Sequence, residues 1–189
     1  MSVFTPKTVT LPDGAAITLR SPELDEAQPL IEYLDAVRRE TNGIMFAAED
    51  DLLSVEAERQ WIESHLNDAR AVLIGAYAGD EIIALSGVHP SRFFRQRHTA
   101  GVGISIRRAW CDRGLGTLLM RELVDWALVH PTLRQLTLCV FDSNPRAQAV
   151  YRKVGFGVDG VLPRRAQVDG EYVGLVEMSL WLDEMAVAS

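Results

Sequence analysis

The pattern of this chain predicts a mixed α/β (α+β) domain of about seven strands and about four helices, on three observations. Apolar runs rich in β-branched residues alternate with segments of helical periodicity. Helical segments open on capping residues such as Ser54 and Asn144, and two of them stop at Pro131 and Gly155. Turn signals such as Pro12-Asp13-Gly14 and Gly79-Asp80-Glu81 separate the runs. With no repeat, linker or low-complexity tract, the 189 residues read as a single domain, 1–189, with its core over about 15–182.

Residues 1–14 read as a lead-in, and Ala15 to Arg20 alternates as a first strand. Ala27, Leu30, Ile31, Leu34 and Val37 then share one helix face. Asp25 is the expected cap, Gln28 completes a capping box, and Pro29 falls in the first turn. Residues 41–53 form a loop carrying the acidic run Glu49-Asp50-Asp51, read as a solvated stretch. Ser54 caps a second helix to about Asn67, with Trp61, Ile62 and Leu66 inward. The runs Val72 to Ala78 and Ile82 to Val88 make a hairpin. After it comes a basic aromatic loop in which Phe93 and Phe94 are expected as anchors among Arg92, Arg95 and Arg97.

Val102 to Ile106 is the next strand, and a helix begins near Gly114 with Leu115, Leu118, Leu119, Leu123 and Trp126 at helical spacing. Pro131 breaks the chain before a strand from Gln135 to Phe141. Asn144 then caps a helix with Pro145 in its first position, ending near Lys153 with Gly155 after it. Gly170 turns a final hairpin, and Tyr172 to Leu182 closes the sheet.

Composition bounds the function. A net charge of −7 argues against broad nucleic-acid binding. Two cysteines, Cys111 and Cys139, make no disulfide framework, which fits a reducing, cytoplasmic setting. The N-terminal stretch lacks a signal-peptide core, and no apolar run is long enough to cross a bilayer, so no membrane partner is expected. Metal-ligand spacing is absent too.

The chemistry concentrates between Gly101 and Met120. Glycines at a helix entrance let main-chain amides approach a ligand, and free first-turn amides suit phosphate. Arg107, Arg108 and Arg113 add positive charge locally. A Walker loop is excluded, because no Lys-Ser or Lys-Thr follows the second glycine. A dinucleotide fingerprint fits poorly: its third small residue falls on Leu119, and the strand ends well before Gly114. A coenzyme A pyrophosphate loop and a plain helix N-terminus both stay open on this stretch alone.

A second motif lies in residues 140–156. Asn144 and Tyr151, seven apart, fall on one side of a helix that Gly155-Phe156 closes. Together the two stretches resemble the GCN5-related N-acetyltransferase superfamily. Its acetyl-CoA loop, Gln/Arg-x-x-Gly-x-Gly/Ala, is matched by Cys111-Asp112-Arg113-Gly114-Leu115-Gly116, with Cys111 in place of Gln or Arg. Its Asn-x-x-Ala and Tyr-x-x-x-Gly-Phe pattern is matched by Asn144, Ala147, Tyr151, Gly155 and Phe156. The ending, residues 162–178, resembles the branch of ribosomal-protein and small-amine acetyltransferases.

The resemblance implies a central, mostly antiparallel sheet with a splayed strand pair, at 102–106 and 135–141, that admits acetyl-CoA. It implies that main-chain groups at Ile104 and Ile106 pair with pantetheine, and that the Ile106 amide is a candidate oxyanion donor. Amides from Asp112 through Arg113, Gly114, Leu115 and Gly116 to Thr117 take the pyrophosphate, while Asn144 and Ala147 complete the cofactor site. Tyr151 is the candidate general acid. Gly101 stands where relatives carry a glutamate base, leaving His98, His89, Glu49 and Asp50 as candidates. The implied activity is direct acetyl transfer to a primary amine of a small molecule or protein N-terminus, with a homodimer as a plausible assembly. An acyl-CoA-binding module without turnover is the alternative.

Overall fold

The computed structural model describes residues 2–187. Eight strands form one sheet in the order β1-β2-β3-β4-β5-β6-β8-β7. They are β1 Lys7–Thr10, β2 Ala16–Arg20, β3 Val72–Ala78, β4 Glu81–Pro90, β5 Thr99–Ile106, β6 Gln135–Phe141, β7 Gly157–Val168 and β8 Glu171–Trp181. The helices are α1 Ala27–Glu40, α2 Val55–Asn67, α3 Leu115–Leu128, α4 Pro145–Lys153 and the short α5 Leu182–Val187.

Three expectations are corrected. The lead-in contains a strand, β1, which pairs antiparallel with β2; its four residues are mostly exposed at the sheet edge, so they carry little apolar pattern. The cap before α1 is not Asp25 but a box between Glu23 and Glu26, closing a 3₁₀ turn over Leu24–Glu26. Leu182 leaves the last strand and starts α5. Ser54 and Asn144 cap their helices as expected, each accepting the amide three residues on.

Two cores sandwich the sheet. Alternate residues of β3 divide between them: Val72, Ile74 and Ala76 face the cluster under α3, while Tyr77 joins α1 and α2. Leu115, Leu119, Leu123, Val124 and Ala127 of α3 are buried at helical spacing.

What positions the site is the one parallel pair. β5 and β6 are in register only at Thr99–Gln135, Ala100–Leu136 and Gly101–Thr137. Beyond that, β5 follows β4 to Ile106, and β6 follows β8 to Phe141. The strands therefore diverge, leaving two facing edges without ladder partners.

The buried Tyr33 on α1 lies on the other edge of β5, between β4 and β5. Its hydroxyl accepts the Leu85 amide (3.1 Å) and donates to the Ser105 carbonyl (2.8 Å). Leu85 and Ser105 are opposite one another, so the phenol replaces a direct ladder bond between β4 and β5. Burial pushes the phenol pKa far above its ordinary value.

Candidate active site

Strand alternation decides which groups face the gap. The Thr99 carbonyl accepts from Ser91, and the Arg107 amide donates to Ile83, so odd-numbered main-chain groups of this stretch turn toward β4. The even ones, at Val102, Ile104 and Ile106, turn toward the β6 side, where no ladder partner meets them.

A cleft of about 360 Å³ opens in this gap, with Ile104 and Ile106 on one side, Asn144, Ala147 and Tyr151 on the other, and Asp112, Gly114, Gly116 and Thr117 at its end. Gly114 stands at the N-cap of α3 with φ +85°, a left-handed conformation that costs an L side chain about 1–2 kcal/mol. No side chain caps this helix. Its first internal bond runs from the Leu118 amide to the Gly114 carbonyl (3.1 Å), so the amides of Leu115, Gly116 and Thr117 have no helix partner. Free amides at a positive helix end form a cradle for a phosphate-bearing ligand.

The cations near the cradle are largely spent. Arg107 pairs with Glu40 (2.8 Å) and reaches Glu81 (3.6 Å). Arg113 pairs with Asp13, lies over the Trp110 ring (4.1 Å), and does not line the cleft. Leu115 is packed in the core, so only its main chain can serve a ligand. The motif reading missed Arg146, which lines the cleft and pairs with Asp112 (2.9 Å). Its place in the first turn of α4, two residues past the cap, was the available signal.

Asn144 is doubly engaged. Its Oδ1 accepts the Ala147 amide (3.1 Å), and its Nδ2 donates to the Gly43 carbonyl (3.3 Å), fastening the α1–α2 loop over the cleft. A Cβ at Gly43 would sit 2.8 Å from Asn144 Nδ2, so glycine permits this approach. Tyr151 also lines the cleft. Among the described residues its hydroxyl has no hydrogen-bond partner, and burial pushes its pKa up to about 12. That keeps the proton on the phenol and leaves it free to donate inward. Cys111 Sγ turns to the Arg107 carbonyl (3.6 Å).

Beyond Ile44, Ile104 and Ser105 the cleft adjoins a second chamber of about 530 Å³. His89 of β4 lines it, opposite Gly101 in the ladder. A Cβ at Gly103 would lie 3.4 Å from His89 Nε2, and one at Gly87 2.9 Å from His89 Cε1, so glycines make room for this ring. Its hydrogen bonds tie it to a second ring. His65 Nδ1 lies 2.8 Å from the Trp61 carbonyl, which can only accept, so Nδ1 carries the proton. His65 Nε2 lies 2.8 Å from His89 Nδ1. In the tautomer where His89 Nδ1 donates across that contact, His89 Nε2 keeps a bare lone pair. Burial, reinforced by His65, pushes the His89 pKa down to about 4, so the ring is neutral near pH 7.

The other base candidates lie elsewhere. His98 precedes β5, at the end where β5 and β6 are still paired. Glu49 and Asp50 are exposed, and Asp50 caps its own loop by accepting the Ala47 amide (2.7 Å). Phe93 and Phe94 are not anchors: they are 58% and 77% exposed, beneath the guanidinium groups of Arg92 and Arg97.

This chain is similar in sequence and in fold to known acetyltransferases. An L-amino acid N-acetyltransferase of Escherichia coli, AaaT, is 34% identical over 85 residues, 45% of this chain and 52% of that protein. The match thus spans about half of that relative's length. The crystal structure of an acetyltransferase of the GNAT family from Streptococcus pneumoniae superposes with a TM-score of 0.83 at 25% identity, covering 87% of this chain and 98% of that one. A putative acetyltransferase from Salmonella typhimurium, yncA, solved with acetyl-CoA, superposes with a TM-score of 0.77 at 18% identity over 89% of this chain and 95% of its own. The family model for the Acetyltransferase (GNAT) family matches residues 22–156. With a splayed parallel pair, a bare helix tip and a family match over most of its length, this chain belongs to the GNAT acetyltransferase family.

Proposed function

We propose that the protein transfers acetyl from acetyl-CoA directly to a primary amine of a small molecule or protein N-terminus. The observation that carries this reading is the gap itself. Unpaired main-chain groups at Ile104 and Ile106, free amides at Gly116 and Thr117, and the free Tyr151 hydroxyl border one cleft. The Salmonella protein of the same fold was solved with acetyl-CoA, which supports that donor here.

In this reading the α3 tip holds the pyrophosphate and the Ile104–Ile106 edge pairs with pantetheine, as a strand would. The amine nitrogen attacks the thioester carbon, the Ile106 amide polarises the carbonyl oxygen, and the carbon–sulfur bond breaks. Tyr151 gives its proton to the departing sulfur, and the amine gives one to His89 Nε2, so protons balance over the cycle. His89 does from β4 what the missing glutamate at Gly101 cannot. Cys111 forms no acyl-enzyme, since direct transfer needs no such intermediate.

Thiol release from acetyl-CoA, followed with and without a panel of amines, tests the reading. Release that depends on an amine is the expected result. Tight acetyl-CoA binding with no amine-dependent release would mark a binding module instead.

A further inference from the structure

The chamber behind Ile104 holds a carboxylate with nothing to pair with. Glu58, in the first turns of α2, is 1% exposed. Its Oε1 is buried without a hydrogen-bond partner, and among the described residues the side chain has no ion pair. Burial alone raises its pKa. Proteins rarely keep such a group unless something arrives to satisfy it.

The described residues supply no candidate. No Lys or Arg lines the chamber. The neighbouring cation, Arg38, is engaged by Asp35 (2.6 Å) and by the carbonyls of Ala47 and Asp50. The other walls are apolar, chiefly Ile31, Phe46, Trp61 and Leu85. His89 Nε2 also presents an open polar site there.

We infer that Glu58 is the counter-ion of the acceptor, and that the chamber selects an apolar amine carrying one positive charge and no carboxylate. This rests on the acetyl-transfer reading above and gives it a substrate class. An ammonium pairs with Glu58 on entry while its apolar body displaces water from Phe46, Trp61 and Leu85; before attack it releases one proton to water to become the neutral nucleophile, and its second passes to His89 Nε2 as the amide forms. A free amino acid fits badly, because its carboxylate would lie in an apolar wall with no cation and with Glu58 repelling it. A polyamine fits badly as well, since its further ammonium groups would be buried without partners.

The test uses the full chain, acetyl-CoA and four amines: 2-phenylethylamine, L-phenylalanine, L-phenylalanine amide and spermidine. The expected kcat/KM for 2-phenylethylamine is at least tenfold above those for L-phenylalanine and spermidine. Phenylalanine amide, which lacks the carboxylate, recovers most of the difference. Glu58→Gln loses tenfold or more with 2-phenylethylamine, mainly through KM, and its Tm does not fall. Quenching of intrinsic tryptophan fluorescence by 2-phenylethylamine, measured without acetyl-CoA and abolished by Trp61→Phe, weakens in parallel. Glu58→Met guards against a fold defect and gives the same loss.

Equal use of L-phenylalanine and 2-phenylethylamine, or an unaffected Glu58→Gln, overturns the assignment. Failure of the underlying reading looks different, because the protein then shows no thermal protection by acetyl-CoA whatever the amine.

Discussion

Replacing His89 by Asn removes the titrating ring while keeping a donor where Nδ1 stood, so the bond to His65 survives. The folded protein holds His89 near pKa 4, against about 6.5 in an unfolded chain. Between those values the unfolded chain binds the proton more readily. Stability from the neutral ring is therefore fully present above about pH 6.5 and is lost as pH falls toward 4. Over the whole window the shift of about 2.5 units corresponds to roughly 3.4 kcal/mol. From pH 7 to pH 5 the same two pKa values give about 2 kcal/mol.

Chemical denaturation of wild type and His89→Asn at pH 7 and pH 5 isolates this term. Any pH-independent cost of the substitution cancels in the double difference. Wild type should lose about 2 kcal/mol more than the variant on going to pH 5. Equal losses would mean that the ring is not held neutral, and the lone pair assigned to Nε2 would go with it. The variant should also lower kcat by about 10²-fold, the lower end of what proton transfer contributes.

Two further perturbations address the acetyl side. Tyr151→Phe keeps the packing on Phe156 (6.3 Å between ring centres) but removes the donor, so kcat should fall by about 10²-fold with Tm nearly unchanged; full turnover in chemistry-limited single-turnover kinetics would exclude the general-acid role. Gly114→Ala places a Cβ on a residue at φ +85°, so unfolding free energy should drop by about 1–2 kcal/mol, and acetyl-CoA affinity should weaken as the helix tip shifts; unchanged calorimetric titration and melting would show that the left-handed turn is not needed.

Much of the frame was legible in the residues. Gly114 and Gly116 marked the bare helix tip, and Asn144-Pro145 marked the second helix, because caps and glycines act locally. The divergence of β5 from β6 was expected only through the family resemblance, since it depends on which strands pair; the Tyr33 bridge between β4 and β5 likewise reaches across 72 residues to Ser105. The acceptor chamber was harder still. Glu58, Trp61, Ile62 and His65 share the inward face of α2, yet two are charged or titratable, so apolar periodicity passes over them. That inversion, polar residues at core spacing, was the signal available. The aromatic loop misled for the opposite reason: Phe93 and Phe94 look like core residues, and their own arginines cover them in solvent.

Amide-resolved hydrogen exchange with and without acetyl-CoA tests the central claim most directly. The account predicts slower exchange at Ile104 and Ile106, whose amides face the gap, and at Leu115, Gly116 and Thr117 on the helix tip. Gly103 and Ser105, turned toward β4, should change little. Acetyl-CoA that leaves the even-numbered β5 amides and the α3 tip unprotected would contradict the account.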